Sequence, residues 1–142
     1  MKKIFLILAA ALVHAAGHAQ PIWLTVTGDA EDPAVNTIEV DPVPVSVAQE
    51  MRTMRLRVSR STPRTSWDGT PYRSYYATVR FDCERSIARY MAISFHAEPG
   101  WKGEPVTTTD YSTDTLRLME FRDVWPNPHQ RLMRAACVGI SR

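Results

Sequence analysis

Apolar and polar residues alternate with a period of two along several stretches of this chain, and one stretch near its end changes to helical spacing. Between residues 54 and 60, Met54, Leu56 and Val58 point one way while Arg55, Arg57 and Ser59 point the other. That pattern predicts a strand with one face on a core and one in water. The clearest alternation follows. Tyr75, Ala77, Val79, Phe81 and Cys83 share one face, and Tyr76, Thr78, Arg80 and Asp82 share the other. Residues 87–96 read as a further strand with Ile87, Met91, Ile93 and Phe95 together, ended by Glu98-Pro99-Gly100. Strands this close in sequence favour antiparallel pairing. Two shorter strands come first, at 22–26, stopped by Gly28-Asp29, and at 37–40, stopped by Asp41-Pro42. Pro42 and Pro44 exclude a central strand just beyond.

Between these runs, 63–71 reads as a polar loop with Asp68-Gly69 as its turn. Residues 103–115, polar and Thr-rich, read as a loop, and 116–121 as one more strand. Near the C-terminus Asn127 can cap a helix and Pro128 suits its first position. Leu132, Met133, Ala136 and Cys137 then fall on one helical face, with Gly139 following as the stop. The expected fold is α+β: an antiparallel sheet of about five to six strands with a C-terminal helix packed on it.

The first residues have a different character. Lys2 and Lys3 precede an unbroken apolar run over 4–13, and Gly17-His18-Ala19 fits a small-x-small cleavage site. This is the layout of a secretory signal peptide over 1–19, leaving 20–142 as a single mature domain. The apolar run is roughly half the length of a membrane span, and no later stretch approaches that length. No cysteine precedes Cys83, so the lipid-bearing cysteine of a lipoprotein is missing. The expected product is exported and has no membrane anchor, residing in the periplasm, in the medium or on the cell surface.

Export changes the charge and gives the cysteines a role. Removing Lys2 and Lys3 from 17 basic residues leaves 15, equal to the 15 acidic ones. Such a balance lacks the electrostatic signature of a nucleic-acid binder. Cys83 and Cys137 are the two cysteines of the chain, and in an oxidising compartment they suggest one intramolecular bridge, from strand to helix. A metal site is not expected, since neither cysteine has a CxxC partner or a nearby histidine.

The order of these features resembles a known family. A Trp23-bearing first strand, an acidic turn, an Ile38-Glu39-Val40-Asp41 strand and an arginine-rich alternating strand come first. Phe81-Asp82-Cys83 at a strand end, Trp101 after a turn and Ala135-Ala136-Cys137 in a C-terminal helix follow. Together they resemble the surface-adhesin protein E family of Gram-negative bacteria. The resemblance implies the same sheet, helix and strand-to-helix disulfide. It also implies a role in binding host extracellular-matrix proteins at the cell surface. The absence of a lipid-bearing cysteine departs from the adhesin's pattern. The second reading is therefore an envelope accessory or structural protein that docks on another secreted protein.

Catalytic chemistry finds little material. His14 and His18 lie in the leader, and His96 and His129 stand in no HxxxH or HExxH context. No GxSxG elbow or phosphate-binding loop occurs. Asp82 and Glu84 read as solvated strand-end charges rather than an acid–base pair. No enzyme and no cofactor are expected. The best candidate binding surface is an arginine stripe, Arg55, Arg57, Arg60 and Arg64, with Arg80 beside it, facing an acidic partner. Its plain alternative is a solvated face paired with Asp82, Glu84 or Glu39. Trp67 and Tyr72, in the loop, are the aromatic candidates, since exposed Trp and Tyr near Arg are typical of interface hot spots. Trp23 and Tyr75 are assigned to the core.

Overall fold

The two longest alternating runs become the two longest strands of the computed structural model, which describes residues 20–113 and 117–139. The expected leader at 1–19 lies outside the described residues. In chain order the elements are β1 (Leu24–Thr27), β2 (Thr37–Val40), β3 (Ser46–Ala48), β4 (Met51–Thr65), β5 (Pro71–Asp82) and β6 (Ile87–His96). A 3₁₀ turn at Pro99–Trp101, β7 (Thr107–Asp110) and α1 (His129–Ala136) follow. The strands form one antiparallel sheet in the order β1-β2-β4-β5-β6-β7, with β3 paired to β4 beyond the end of β2.

Register explains why the sheet has one dry face. Met54, Leu56 and Val58 stand opposite Val79, Ala77 and Tyr75. Tyr75 and Ala77 in turn stand opposite Phe95 and Ile93. Three strands thus put apolar side chains in one buried layer. Crossing that layer, the segment after β7 adds Met119, Phe121 and Val124, and α1 adds Leu132, Met133 and Ala136, all buried. A helix this short is unstable alone and depends on that packing. Asn127 Oδ1 accepts a hydrogen bond from the His129 amide at 2.9 Å, which closes the helix start. The bridge between Cys83 and Cys137, Cα atoms 5.7 Å apart, fastens the other end to the residue just after β5.

The structure corrects several details of the sequence reading. The sheet has seven strands among the described residues rather than five or six. The 63–71 loop shrinks to a turn at 66–70, because β4 runs on to Thr65 and β5 starts at Pro71. The Thr-rich loop contains β7; threonine is β-branched and fits the open edge of β6. The strand expected over 116–121 reduces to a single bridge between Arg89 and Leu118 within the described residues. Residues after Pro44 return to β4 as β3, an edge position that tolerates the prolines before it.

The faces of β6 differ from the simple alternation. Thr78 pairs with Ala92 but Val79 pairs with Tyr90, so Met91 is an extra residue in a bulge. One inserted residue reverses the faces on its far side. Ala88 and Tyr90 are therefore buried, while Ile87, expected in the core, is exposed.

Candidate functional site

The five candidate residues separate onto the two faces of the sheet. Arg55 and Arg57 stay on the face away from the core, as the alternation of β4 requires. Arg60 has the parity of Met54, Leu56 and Val58, so it turns toward the core side, where its side chain is only 4% exposed. The expected four-arginine stripe is thus two pairs back to back. The parity was readable in the sequence; the end of the dry layer near Arg60, where an arginine can be accommodated, was not.

On the outer face, Arg57 is held as a structural part. Its guanidinium lies over Trp23 at 4.6 Å and over Trp101 at 4.0 Å, between two rings. Its Nε donates to Glu39 Oε2 at 2.5 Å, and Thr25 Oγ1 donates to Glu39 Oε1 at 3.1 Å. Glu39 is buried, and a buried carboxylate requires such a partner. Trp101 is positioned by the turn before it. The Gly100 amide donates to Ser59 Oγ, the Trp101 amide to Ser74 Oγ, and the indole Nε1 to the Val58 carbonyl. Ser59, expected in water, is buried beneath this turn. Tyr76 packs between Trp23, Trp101 and His96. Trp23, expected in the main core, is half-buried here instead. Arg55 is 50% exposed and donates to the buried carboxylate of Asp41 at 3.0 Å. Beside it a hollow of about 250 Å³ opens between Trp23, Arg55, Tyr76, Thr78 and Ala92.

On the core side, Arg60, Trp67 and Tyr72 come together in a cleft of about 300 Å³ at the end of the β4–β5 hairpin. Arg64, Tyr75, Tyr90 and Phe95 are among its other lining residues, and Asp123 lies across it with its carboxylate on both arginines. Tyr72 packs on Phe95 at 4.9 Å and on Tyr75 at 5.7 Å between ring centres. Trp67 packs on Tyr90 at 5.7 Å and on Tyr111 at 5.9 Å. The Tyr75 and Tyr90 hydroxyls share a hydrogen bond of 2.7 Å. Burial pushes both phenols well above the ordinary tyrosine value, and raises Tyr72 as well. Tyr111 is pushed up to about 12, by burial first and then by its hydrogen bond to Asp68. No sequence signal singled out Asp123 or Tyr90, because each arrives from a distant part of the chain. Of Arg57's outer partners, Glu39 was named from the sequence as an ion-pair partner of the stripe, whereas its place between Trp23 and Trp101 was not.

A third depression of about 840 Å³ lies between the start of β6 and the start of α1, lined by Ile87, Leu118, Trp125, Pro126 and His129 among others. Trp125 stands 93% exposed at its rim. The two described histidines have structural partners: each Nδ1 lies 3.1 Å from a carbonyl oxygen, His96 from Gly103 and His129 from Met119. No group of three or more metal-ligating side chains converges among the described residues.

The surface-adhesin protein E family matches residues 23–138, most of the chain. The chain belongs to that family. Membership makes it a surface-adhesin-like protein. The match spans the whole sheet, the helix and both cysteines, so it covers both faces described above. No curated protein and no solved structure matches the chain. Among the described residues no helix is long and apolar enough to cross a membrane.

Proposed function

We propose that this protein is an exported binding domain that engages a host extracellular-matrix protein through the outer face of its sheet. The observation that supports this reading is the clamp of Arg57 between Trp23 and Trp101, next to the exposed Arg55 and the hollow at Ala92. Aromatic and arginine side chains held rigid before binding lose little freedom when a partner docks. Adhesin family membership supports a partner of this class. The surface is hydrogen-bonded from beneath by Ser59 and Ser74, so it is already formed without a partner.

Arg57 is a poor residue to mutate as a test, since its loss leaves Glu39 buried without its cation. Ala92 is the better choice, because it lines the hollow and has no polar partner to lose. Ala92→Arg is expected to reduce binding of the mature protein to immobilised matrix proteins at least tenfold, the effect of about 1.4 kcal/mol. Its melting temperature should stay near that of the wild type. Undiminished binding would remove the outer face from the site. Immunoblots of periplasm, outer membrane and medium test the location, and confinement to the periplasm would exclude a host partner.

A further inference from the structure

The cleft at the end of the β4–β5 hairpin holds more positive charge, and more unused hydrogen-bond donors, than the fold itself employs. Arg60 and Arg64 converge on a single oxygen, Oδ2 of Asp123. Both contacts come from terminal guanidinium nitrogens and neither engages an Nε, so Asp123 satisfies the pair only in part. The Nε atoms of Arg60 and Arg64 are both buried without a hydrogen-bond acceptor. Orphaned buried donors on a charged group are costly, and native proteins rarely keep them without a purpose. The Tyr75 and Tyr90 hydroxyls carry two hydrogens and use one between them, leaving one to donate. Glu120 also lines the cleft, but its carboxylate is paired with Arg122 at 2.6 Å. The remaining lining is mainly apolar, with the rings of Trp67, Tyr72, Phe95 and Phe121 beside Ile93, and only Thr65 and Ser66 add uncharged polar groups.

We propose that this cleft binds a small aromatic carboxylate, and that the Asp123 carboxylate occupies the acid's position when the site is empty of ligand. The acid group would take the guanidinium groups of Arg60 and Arg64 with the charge-assisted geometry that arginine favours. The ring would stack among Trp67, Tyr72 and Phe95. A cleft of about 300 Å³ is at the small end of ligand pockets and suits one ring with its acid group. Asp123 is well placed to yield: its side chain is 44% exposed, so it can turn into water when displaced. The proposal does not depend on a host-matrix partner, since the cleft lies on the opposite side of the sheet from Arg57.

The test is calorimetric titration of the intact, disulfide-bonded protein with benzoate, phenylacetate and 3-phenylpropionate. The alcohol 3-phenyl-1-propanol serves as the uncharged control. At least one acid is expected to bind saturably at millimolar concentration, and the alcohol is not. Asp123→Asn removes the internal competitor. If Asp123 fills the site about nine-tenths of the time, this variant should bind roughly tenfold more tightly. Arg64→Gln, at a partly exposed position, should weaken binding at least several-fold while keeping the melting temperature. If Asp123→Asn fails to fold, the comparison of wild type with Arg64→Gln still decides. Absence of saturable binding by all three acids overturns the proposal. So does equal binding of the alcohol, which would mean an apolar hole, and so does binding indifferent to Arg64→Gln, which would place the acid elsewhere.

Discussion

At Gly28 the backbone has φ +86°, and a methyl group there would stand 2.3 Å from the Asn36 carbonyl oxygen and 2.6 Å from the Thr37 Cα. Both neighbours are backbone and cannot move aside without opening the β1–β2 connection. The Asp29 amide and carbonyl, both hydrogen-bonded to Thr37 Oγ1, would be disturbed with it. Gly28→Ala is expected to cost about 2–4 kcal/mol from combined strain and collision, read from urea unfolding. An unchanged midpoint would contradict the packing around Gly28. The buried tyrosines give a second prediction. Tyr75 and Tyr90 have native pKa values raised above the ordinary 10.0, chiefly by burial. Below pH 10 both states hold these protons, and the stability is intact. Above it the unfolded chain loses them while the native state keeps them, so stability falls as pH rises, by up to about 1.4 kcal/mol per pH unit for each phenol. Unfolding free energies from pH 8 to 11.5 should decline from near pH 10, and Tyr75→Phe should flatten that decline. A slope identical in the variant would mean that Tyr75 is not protected. Arg60 belongs to the same scale: its parity in β4 turned it away from Arg55 and Arg57, and distant Asp123 completed its environment.

Among the elements, α1 depends most on its neighbours. It has two turns, a buried face of Leu132, Met133 and Ala136, and a covalent tie through Cys137. The bridge closes a loop of 54 residues, for which chain-entropy arguments give roughly 4 kcal/mol. Cys83→Ser with Cys137→Ser is expected to lower Tm by on the order of 15 °C, with α1 and the segment leading into it losing amide protection before the sheet does. Equal stability of the two proteins would show that packing alone holds the helix. The strands were legible in kind because alternation marks a half-wet strand whatever its partners. Their extents and faces were less so. The bulge at Met91 reversed the faces at the start of β6, and β7 emerged from a threonine run that is polar by composition. Both outcomes depend on the neighbouring strand, which a single run of residues does not describe.

For the molecule as a whole, the sheet divides the candidate chemistry between two sides. The outer side presents a preformed arginine–tryptophan surface, and the core side keeps a small cleft beneath Asp123. A partner protein and a small acid would therefore meet different faces and could bind together. Family membership covers the molecule at this scale, since the match at 23–138 takes in all the strands and the helix. It does not distinguish one face from the other.

The order of residues alone determined the fold class, the strand-to-helix disulfide and the family. Each of these rests on local periodicity, on a single cysteine pair, or on the sequence of features along the chain. The tertiary structure decided which arginines act together. Arg57 acquired Trp23, Trp101 and Glu39, and Arg60 acquired Arg64, Tyr72 and Asp123, from up to 63 residues away. Binding surfaces are assembled across strands, and register, bulges and the crossing of the 117–128 segment are set only when the whole core packs.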